Sequence, residues 1–235
     1  MSRTLELSPR LRMAGQLLPE GGCLADIGTD HAYLPAALLM EGKIERAIAA
    51  DLRRGPLDRA RETVKHFGLQ DKVSFCLCNG LAGIAPNAAD SIAIAGMGGE
   101  TIAGILAAAP WVRERNIPLV LQPMSSMPDL RRWLQENGYD IHKEMLCCEG
   151  ETLYTAMLVS GGEMEPLTPA EYWVGRNENT PLRGRWLEQW LARVDRALAG
   201  LERSRSDDSA LRAEELRQVR DGLKHMKEEW ETWQR

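Results

Sequence analysis

Short apolar runs alternate with helical stretches between residues 23 and 160, and this alternation constrains the fold more than any other feature of the chain. The apolar runs predict strands at 23–27, 46–50, 73–77, 91–95, 118–122, 140–146 and 153–159, and the intervening stretches predict helices at 31–41, 56–67, 99–107 and 127–137. This pattern predicts a mostly parallel α/β sheet with helices on both faces. The last two strands are joined closely enough to require an antiparallel hairpin.

The first predicted strand runs into a turn that carries polar side chains, passing from Asp26 through Gly28 to Asp30 and His31. A lone glycine lets the backbone approach a ligand closely. The further glycines of a dinucleotide fingerprint and the Gly-x-x-x-x-Gly-Lys phosphate loop are missing. The turn therefore favours a ligand without pyrophosphate, such as S-adenosylmethionine, over NAD or ATP. A plain strand-to-helix turn is the alternative, and helix capping explains Asp30 and His31 equally well.

The ends of the following strands supply further candidate ligand contacts. Asp51 ends the second strand, where its two carboxylate oxygens match the vicinal hydroxyls of a ribose; capping of the next helix is the alternative. Asn79 follows the third strand, and its amide offers the donor and acceptor that an adenine edge needs, although a simple turn explains it as well. Gln122 and Pro123 end the fifth strand, where Gln122 is a candidate to line the pocket.

Three glycines in residues 96–99 end the fourth strand. They allow a base or another backbone to come close, and a structural turn is the alternative. The segment lacks the Asn/Asp-Pro-Pro-Tyr/Phe pattern that holds an exocyclic amine, which argues against methylation of such an amine.

Composition argues against several other classes of protein. The longest apolar run, near residues 92–97, is far shorter than the roughly 20 residues of a membrane span, and the N-terminus lacks a signal-peptide pattern. The five cysteines form no Cys-x-x-Cys pair, so we interpret them as small apolar side chains and expect no metal. The net charge of −5 restricts any nucleic-acid site to a local basic face. We expect a cytoplasmic protein with no membrane partner.

Both ends of the chain extend beyond the α/β pattern. Residues 5–18 predict a basic helix that starts at Ser8-Pro9. After a linker at 161–169, apolar residues recur at spacings of three and four in two runs: Leu187, Leu191, Val194, Leu198 and Leu201, then Leu216, Val219, Leu223, Met226, Trp230 and Trp233. The runs predict an antiparallel coiled-coil hairpin with a break at 204–209. We predict two domains, 1–162 and 163–235.

The ordered motifs at 7–11, 25–35, 94–99, 121–123 and 132–134 resemble those of the bacterial tRNA (adenine-22-N1)-methyltransferases. The C-terminal hairpin is also a feature of that family, so the resemblance covers nearly the whole chain. It implies a class I methyltransferase with a Rossmann-like, seven-stranded, mostly parallel sheet and S-adenosyl-L-methionine as cofactor. The chain has Asp51 where the family often has Glu, Asn79 where it often has Asp, and Met124 where it often has Asn, which removes a polar group near the target pocket.

The resemblance implies methyl transfer to N1 of adenine 22 in tRNA. N1 has an in-plane lone pair and attacks without first losing a proton, so orientation rather than a strong base drives the reaction. Asp30 is the predicted catalytic residue, because its carboxylate can stabilise the cationic base. A paired adenine must first leave its helix. A methyltransferase for a small molecule or protein, and a non-catalytic cofactor-binding scaffold, are the alternative functions.

The predicted contacts fall into three sets. The cofactor set is Asp26, Gly28, Thr29, His31, Tyr33, Asp51, Leu52, Asn79, Gly80, Leu81, Gly96, Met97 and Gly98. The substrate set is Arg10, Arg53, Gly99, Gln122 and Pro123. Phosphate contacts are expected from Arg3, Arg10, Arg12, Arg53, Arg54, Arg131 and Arg132. The hairpin either grips the tRNA, braces the domain or mediates dimerisation, so a monomer and a weak homodimer both stay open.

Overall fold

The computed structural model describes residues 5–201 and 207–234, and seven strands in this part of the chain form one sheet. The strands are β1 (Cys23–Ile27), β2 (Arg46–Asp51), β3 (Val73–Leu77), β4 (Ser91–Gly98), β5 (Leu119–Ser125), β6 (Tyr139–Glu149) and β7 (Thr152–Gly161). Their order is β3-β2-β1-β4-β5-β7-β6, and β7 pairs antiparallel with both β5 and β6. The predicted Rossmann-like sheet is therefore confirmed.

Helices cover both faces of the sheet and continue beyond it. They are α1 (Pro9–Leu17), α2 (Tyr33–Met40), α3 (Arg54–Phe67), α4 (Gly99–Ala107), α5 (Trp111–Glu114), α6 (Met127–Glu136), α7 (Pro169–Val174), α8 (Pro181–Leu201) and α9 (Asp207–Trp233). Alternate residues of the central strands enter opposite cores: Ile92 and Ile94 pack on one side of the sheet, and Ala93 packs on the other. Burial on both faces explains why the parallel strands read as continuous apolar runs.

The N-terminal helix α1 begins where the sequence predicts. Ser8 is the N-cap and its hydroxyl accepts from the N–H of Leu11, while Pro9 takes the first helical position. Met13 and Leu17 of this helix are buried in the core on one side of the sheet. The predicted phosphate contact Arg3 lies outside the described residues.

The two C-terminal helices form an antiparallel pair. Gly184 of α8 packs against the ring of Trp230 of α9, and Lys227 pairs with Glu188 at 2.9 Å. Most predicted heptad positions are buried or half-buried, but Trp233 is 51% exposed, so its assignment to the core is wrong. The segment 202–206, which includes the first half of the predicted break at 204–209, lies outside the described residues; the prediction is wrong for 207–209, which belong to α9.

Sequence reasoning missed part of this helical region. Trp186 and Trp190 are buried together with the heptad residues, because α8 packs against the sheet domain as well as against α9. The short helix α7 begins at the last residue of the predicted linker and occupies part of the stretch before the first heptad run. Its signal was readable: Thr168 and Glu171 form a capping box in which each side chain accepts from the other's backbone N–H.

None of the helices in the described ranges is long and apolar enough to cross a lipid bilayer.

Candidate active site

The turn after β1 forms the centre of the site. The N–H groups of Gly28 and Thr29 both donate to the carbonyl of Ala50 at 2.8 and 3.0 Å, which ties the turn to the end of β2. Gly28 has φ of 77°, and a Cβ placed on it would lie 2.1 Å from Cε of Met97. The positive φ is the reason that the turn favours glycine here, and any larger residue would also have to displace the end of the Met97 side chain.

A cavity of about 380 Å³ opens at the carboxyl ends of β1 and β4. Ligand sites of parallel α/β sheets lie at this edge. Its walls are formed by Arg10, Leu11, Asp26, Gly28, Thr29, Asp30, His31, Ala32, Tyr33, Leu34, Ala95 and Gly96. The structure thus brings together six of the predicted cofactor residues, the predicted catalytic Asp30, and Arg10, which was predicted to contact substrate.

Asp26 is the buried carboxyl group of this cavity, with 7% of the residue exposed. The pKa of Asp26 is raised from 3.8 to about 6, mainly because the group is buried; a contact with Thr29 opposes the rise, and the nearby charge of Asp51 adds to it. Burial disfavours the charged carboxylate when no ligand is bound, and a cationic ligand would stabilise that charged form. This position therefore suits a ligand with an ammonium or sulfonium group.

Asp51 is hydrogen-bonded to the backbone that leads into α3. One of its oxygens, Oδ1, accepts from the backbone N–H of Arg53 at 2.7 Å, just before α3 begins. The side chain is nevertheless only 10% exposed and lies beside the turn that Gly28 makes. It is adjacent to the lining of the cavity rather than part of it, and Oδ2 has no recorded hydrogen-bond partner among the described residues.

Asp30 is held at the rim by an arginine that sequence reasoning missed. Arg59 of α3 donates to Oδ1 of Asp30 through Nε at 3.1 Å and also through Nη2. The Asp30 side chain is 62% exposed, and His31 next to it stacks on Tyr33 with ring centroids 4.9 Å apart. Local sequence gives no signal for the Arg59 contact, because 29 residues separate the partners.

Gln122 lies beneath the cavity and is completely buried. Its Oε1 accepts from Nη1 of Arg10 at 2.9 Å and from the N–H of Gly96 at 3.1 Å. Its Nε2 donates to the carbonyl of Pro123 and approaches the sulfur of Met124. The side chain therefore connects α1, β4 and β5 instead of opening into the cavity as predicted.

Other predicted residues lie beside the cavity rather than in its walls. Leu52 and Asn79 are exposed, whereas the side chain of Leu81 is buried in the core. Gly80 and Gly98 pack against Ile105 and Ser125, and Pro123 is buried. Gly99 serves internal packing, because a Cβ on it would lie 2.5 Å from the carbonyl of Ser126. A close approach within the protein thus explains Gly99, which favours the structural alternative at this position.

The neighbouring arginines 131 and 132, both predicted to contact phosphate, have different environments. Arg131 is fully buried and donates to Oε1 of Glu144 at 2.6 and 3.0 Å, so its assignment to phosphate binding is wrong. Its Nη1 also donates to the carbonyls of Tyr172 and Trp173. Arg132 is exposed, and its guanidinium lies over the ring of Tyr172.

A larger groove of about 710 Å³ lies between α6, α7 and the C-terminal helix pair. Its walls hold Arg132 and Arg212 opposite the carboxylates of Asp129 and Glu215, so their charges balance. It contains no strand end and no glycine turn. Volume alone therefore does not identify the site, and the smaller cavity at the sheet edge has the chemistry that a nucleoside ligand requires.

Comparisons with known proteins agree with this geometry. A family model described as a methyltransferase domain matches residues 7–157. The chain is 35% identical over 161 residues to the tRNA (adenine(22)-N(1))-methyltransferase of Bacillus subtilis, and this alignment spans 68% of each protein.

Solved structures show the same likeness over longer stretches. The crystal structure of the Bacillus subtilis m1A22 tRNA methyltransferase TrmK has a TM-score of 0.80 at 28% identity, covering 95% of this chain and 100% of that one. Sp1610 of Streptococcus pneumoniae, solved in complex with S-adenosyl-L-methionine, has a TM-score of 0.78 at 30% identity, covering 92% and 100%. This protein therefore belongs to the tRNA (adenine-22-N1)-methyltransferases, within the larger family of methyltransferase domains.

Proposed function

We propose that the chain transfers a methyl group from S-adenosylmethionine to N1 of adenine 22 in tRNA. The observation that carries this proposal is the 380 Å³ cavity at the carboxyl ends of β1 and β4, in a chain of this family. The cavity combines the buried carboxyl group of Asp26 with two turns, at Gly28 and Gly96, whose φ angles are 77° and 79°. Such turns let a ligand approach the backbone closely.

The residues present fit this cofactor. When bound, S-adenosylmethionine supplies an electrophilic methyl group. We assign Asp51 to a ribose hydroxyl, which Oδ2 would contact because Oδ1 already accepts from the N–H of Arg53. We assign the adenine ring to contacts with the backbone of residues 79–81 and with the exposed side chain of Leu52. Gly28 has φ of 77° and carries no side chain, so its backbone is accessible from the cavity that it lines.

The chain's own residues contribute orientation and charge to the transfer. N1 of adenine needs no base to remove a proton, so the protein has to hold the ring in line with the methyl group, which can be worth roughly 7–11 kcal/mol. Asp30 lies at the rim, where its carboxylate would face the positive charge that develops on the base. Its ion pair with Arg59 partly neutralises that carboxylate, which limits the size of this contribution.

Docking of tRNA would use the rim of the cavity and the helix pair. Arg53 and Arg54 follow β2 at the sheet edge, and the side chain of Arg53 is 78% exposed. The helix pair stands at the same edge, because its core includes Met127 and Leu153 from the segments next to it. We assign the catalytic site to residues 1–162 and this supporting arm to 163–235, and a tRNA substrate implies a cytoplasmic location.

The proposal is tested with two tRNA transcripts that differ only at position 22. The protein is incubated with methyl-labelled S-adenosylmethionine and a transcript that has adenine there, with guanine as the matched control. We expect label only in the adenine transcript, recovered as 1-methyladenosine after nuclease digestion. Label in the guanine transcript would contradict position 22 as the target. Label in a nucleoside other than 1-methyladenosine would contradict N1 of adenine as the methylated atom. Cofactor binding without transfer to either transcript would support the scaffold alternative.

A further inference from the structure

We propose that Arg10 binds the carboxylate of the amino-acid part of S-adenosylmethionine, and that Gln122 is the positioning residue that holds Arg10 in place. This inference rests on the proposed function, and it moves Arg10 from the RNA-binding residues to the cofactor site.

The first argument is charge. Among the described residues that line the 380 Å³ cavity, Arg10 is the one arginine or lysine. Within the described part of the chain, no carboxylate lies within ion-pair distance of Arg10. This contrasts with Arg12 on the same helix, which pairs with Glu41. A half-buried guanidinium without an anion beside it is a ready partner for a ligand carboxylate.

The second argument is orientation. The completely buried amide of Gln122 directs Oε1 at two donors, Nη1 of Arg10 and the N–H of Gly96, and its Nε2 donates to the carbonyl of Pro123. The opposite amide orientation would place an NH₂ group against two donors, so only this one satisfies the site. The oxygen fixes one arm of the guanidinium and leaves its other donors available.

The third argument is complementarity. The amino-acid end of the cofactor carries both an ammonium and a carboxylate. Both a buried carboxyl group, that of Asp26, and a guanidinium group, that of Arg10, line the same cavity. Nη1 of Arg10 lies 3.2 Å from the position that a Cβ on Gly96 would occupy, so the glycine leaves space for the arginine at the cavity wall. An RNA phosphate would instead be expected at an exposed arginine such as Arg53.

The inference is tested with two ligands that differ by the amino-acid part. S-adenosylhomocysteine has it, and 5′-methylthioadenosine lacks it. Calorimetry on the full chain should show that Arg10→Met lowers affinity for S-adenosylhomocysteine by roughly ten- to a hundredfold and leaves affinity for 5′-methylthioadenosine unchanged. Unchanged binding of the smaller ligand also demonstrates that the variant folds.

Three further variants sharpen the result. Arg10→Lys should lose less affinity for S-adenosylhomocysteine than Arg10→Met, because lysine keeps the positive charge although it lacks the paired donors of the guanidinium group. Gln122→Met should give a smaller loss, again confined to S-adenosylhomocysteine. Arg12→Met is the matched control and should leave cofactor affinity unchanged.

Equal losses for both ligands, or no loss for either, would overturn the inference. A loss of tRNA binding alone would overturn it as well and return Arg10 to the RNA-binding residues. If the unaltered protein bound neither ligand, the proposed function itself would fail, which is a separate outcome.

Discussion

Arg10 and Arg131 are the same residue type, but the protein surrounds them in opposite ways. Arg131 is fully buried, and its donors are used by Glu144 and by two backbone carbonyls. Arg10 lines a cavity, and its hydrogen-bond acceptor is the neutral amide of Gln122. A charge that is paired within the protein fixes structure, whereas we propose that the charge without a counter-ion beside the cavity serves a ligand.

The buried pair also ties distant segments together. Glu144 of β6 accepts from Arg131 through one oxygen and from the N–H of Arg176 through the other. A Cβ on Gly175 would lie 1.9 Å from Glu144, so the connection between α7 and α8 packs directly on this carboxylate. The network therefore links α6, β6 and the base of the helix pair.

The largest expected effect comes from breaking that network. Glu144→Ala leaves a buried guanidinium without its anion, and we expect it to lower the free energy of unfolding by about 3–5 kcal/mol. Urea unfolding followed by tryptophan fluorescence measures this loss. The adjacent Lys143→Ala removes an exposed pair with Glu178 and should change stability by less than about 1 kcal/mol. Similar losses in the two variants would refute the structural role of the buried pair.

The next effect concerns the buried carboxyl group of the cavity. Because burial raises the pKa of Asp26 from 3.8 to about 6, the unfolded chain releases this proton first as the pH rises. The contribution of Asp26 to the free energy of unfolding therefore falls between about pH 4 and pH 6. Asp26→Asn removes this decline. The free energy of unfolding of the variant minus that of the unaltered protein should therefore be about 2–3 kcal/mol larger at pH 7 than at pH 4.

Urea unfolding of both proteins across this pH range is the measurement, and the difference between them isolates Asp26 from other titrating groups. Parallel stability profiles would mean that Asp26 ionises at its ordinary pKa. The same variant should bind S-adenosylhomocysteine less tightly, since a neutral amide attracts an ammonium group less than a carboxylate does.

A smaller effect is expected at the ribose position. Asp51→Ala should weaken binding of S-adenosylhomocysteine by roughly ten- to a hundredfold, because a carboxylate acceptor for a hydroxyl is lost. Asp58→Ala on α3 is the control, since Asp58 forms an exposed pair with Arg61. Calorimetry that gave equal affinities for the Asp51 variant and the unaltered protein would refute the ribose assignment and leave Asp51 as a helix-start residue.

The smallest effect is expected at the exposed rim. Asp30→Ala should lower kcat for tRNA methylation by roughly tenfold and change cofactor affinity less, because the carboxylate acts on charge that develops during transfer. Arg59 limits the effect by sharing that carboxylate. Steady-state kinetics with tRNA, compared with the exposed control Asp71→Ala, gives the ratio. A loss of cofactor affinity with unaltered kcat would remove Asp30 from the catalytic role.

Local patterns explain which parts of this account the sequence could predict. The central strands were predictable because buried parallel strands read as uninterrupted apolar runs, as in residues 92–95. The turn at Gly28 was predictable because a strand, a glycine and polar residues follow one another directly. The family resemblance supplied the strand order, which periodicity does not contain.

Long-range contacts explain what the sequence could not predict. Arg131 and Arg132 are neighbours of equal charge, and only their directions from α6 decide which is buried. Arg10 and Gln122 meet across 112 residues, and Arg59 reaches Asp30 across 29. Trp233 continues a heptad pattern yet is exposed, because the pattern extends past the residues that pack on it. Each of these differences arises from tertiary packing rather than from local sequence.

The central claim is that the cleft at the ends of β1 and β4 is the cofactor site, and a crystal structure of the full chain with S-adenosylhomocysteine tests it most directly. The predicted result is electron density with the ribose at Asp51, the backbone of Gly28 against the ligand, and the carboxylate at Arg10. Density in the larger groove between α6, α7 and the helix pair, with the cleft empty, would contradict the account.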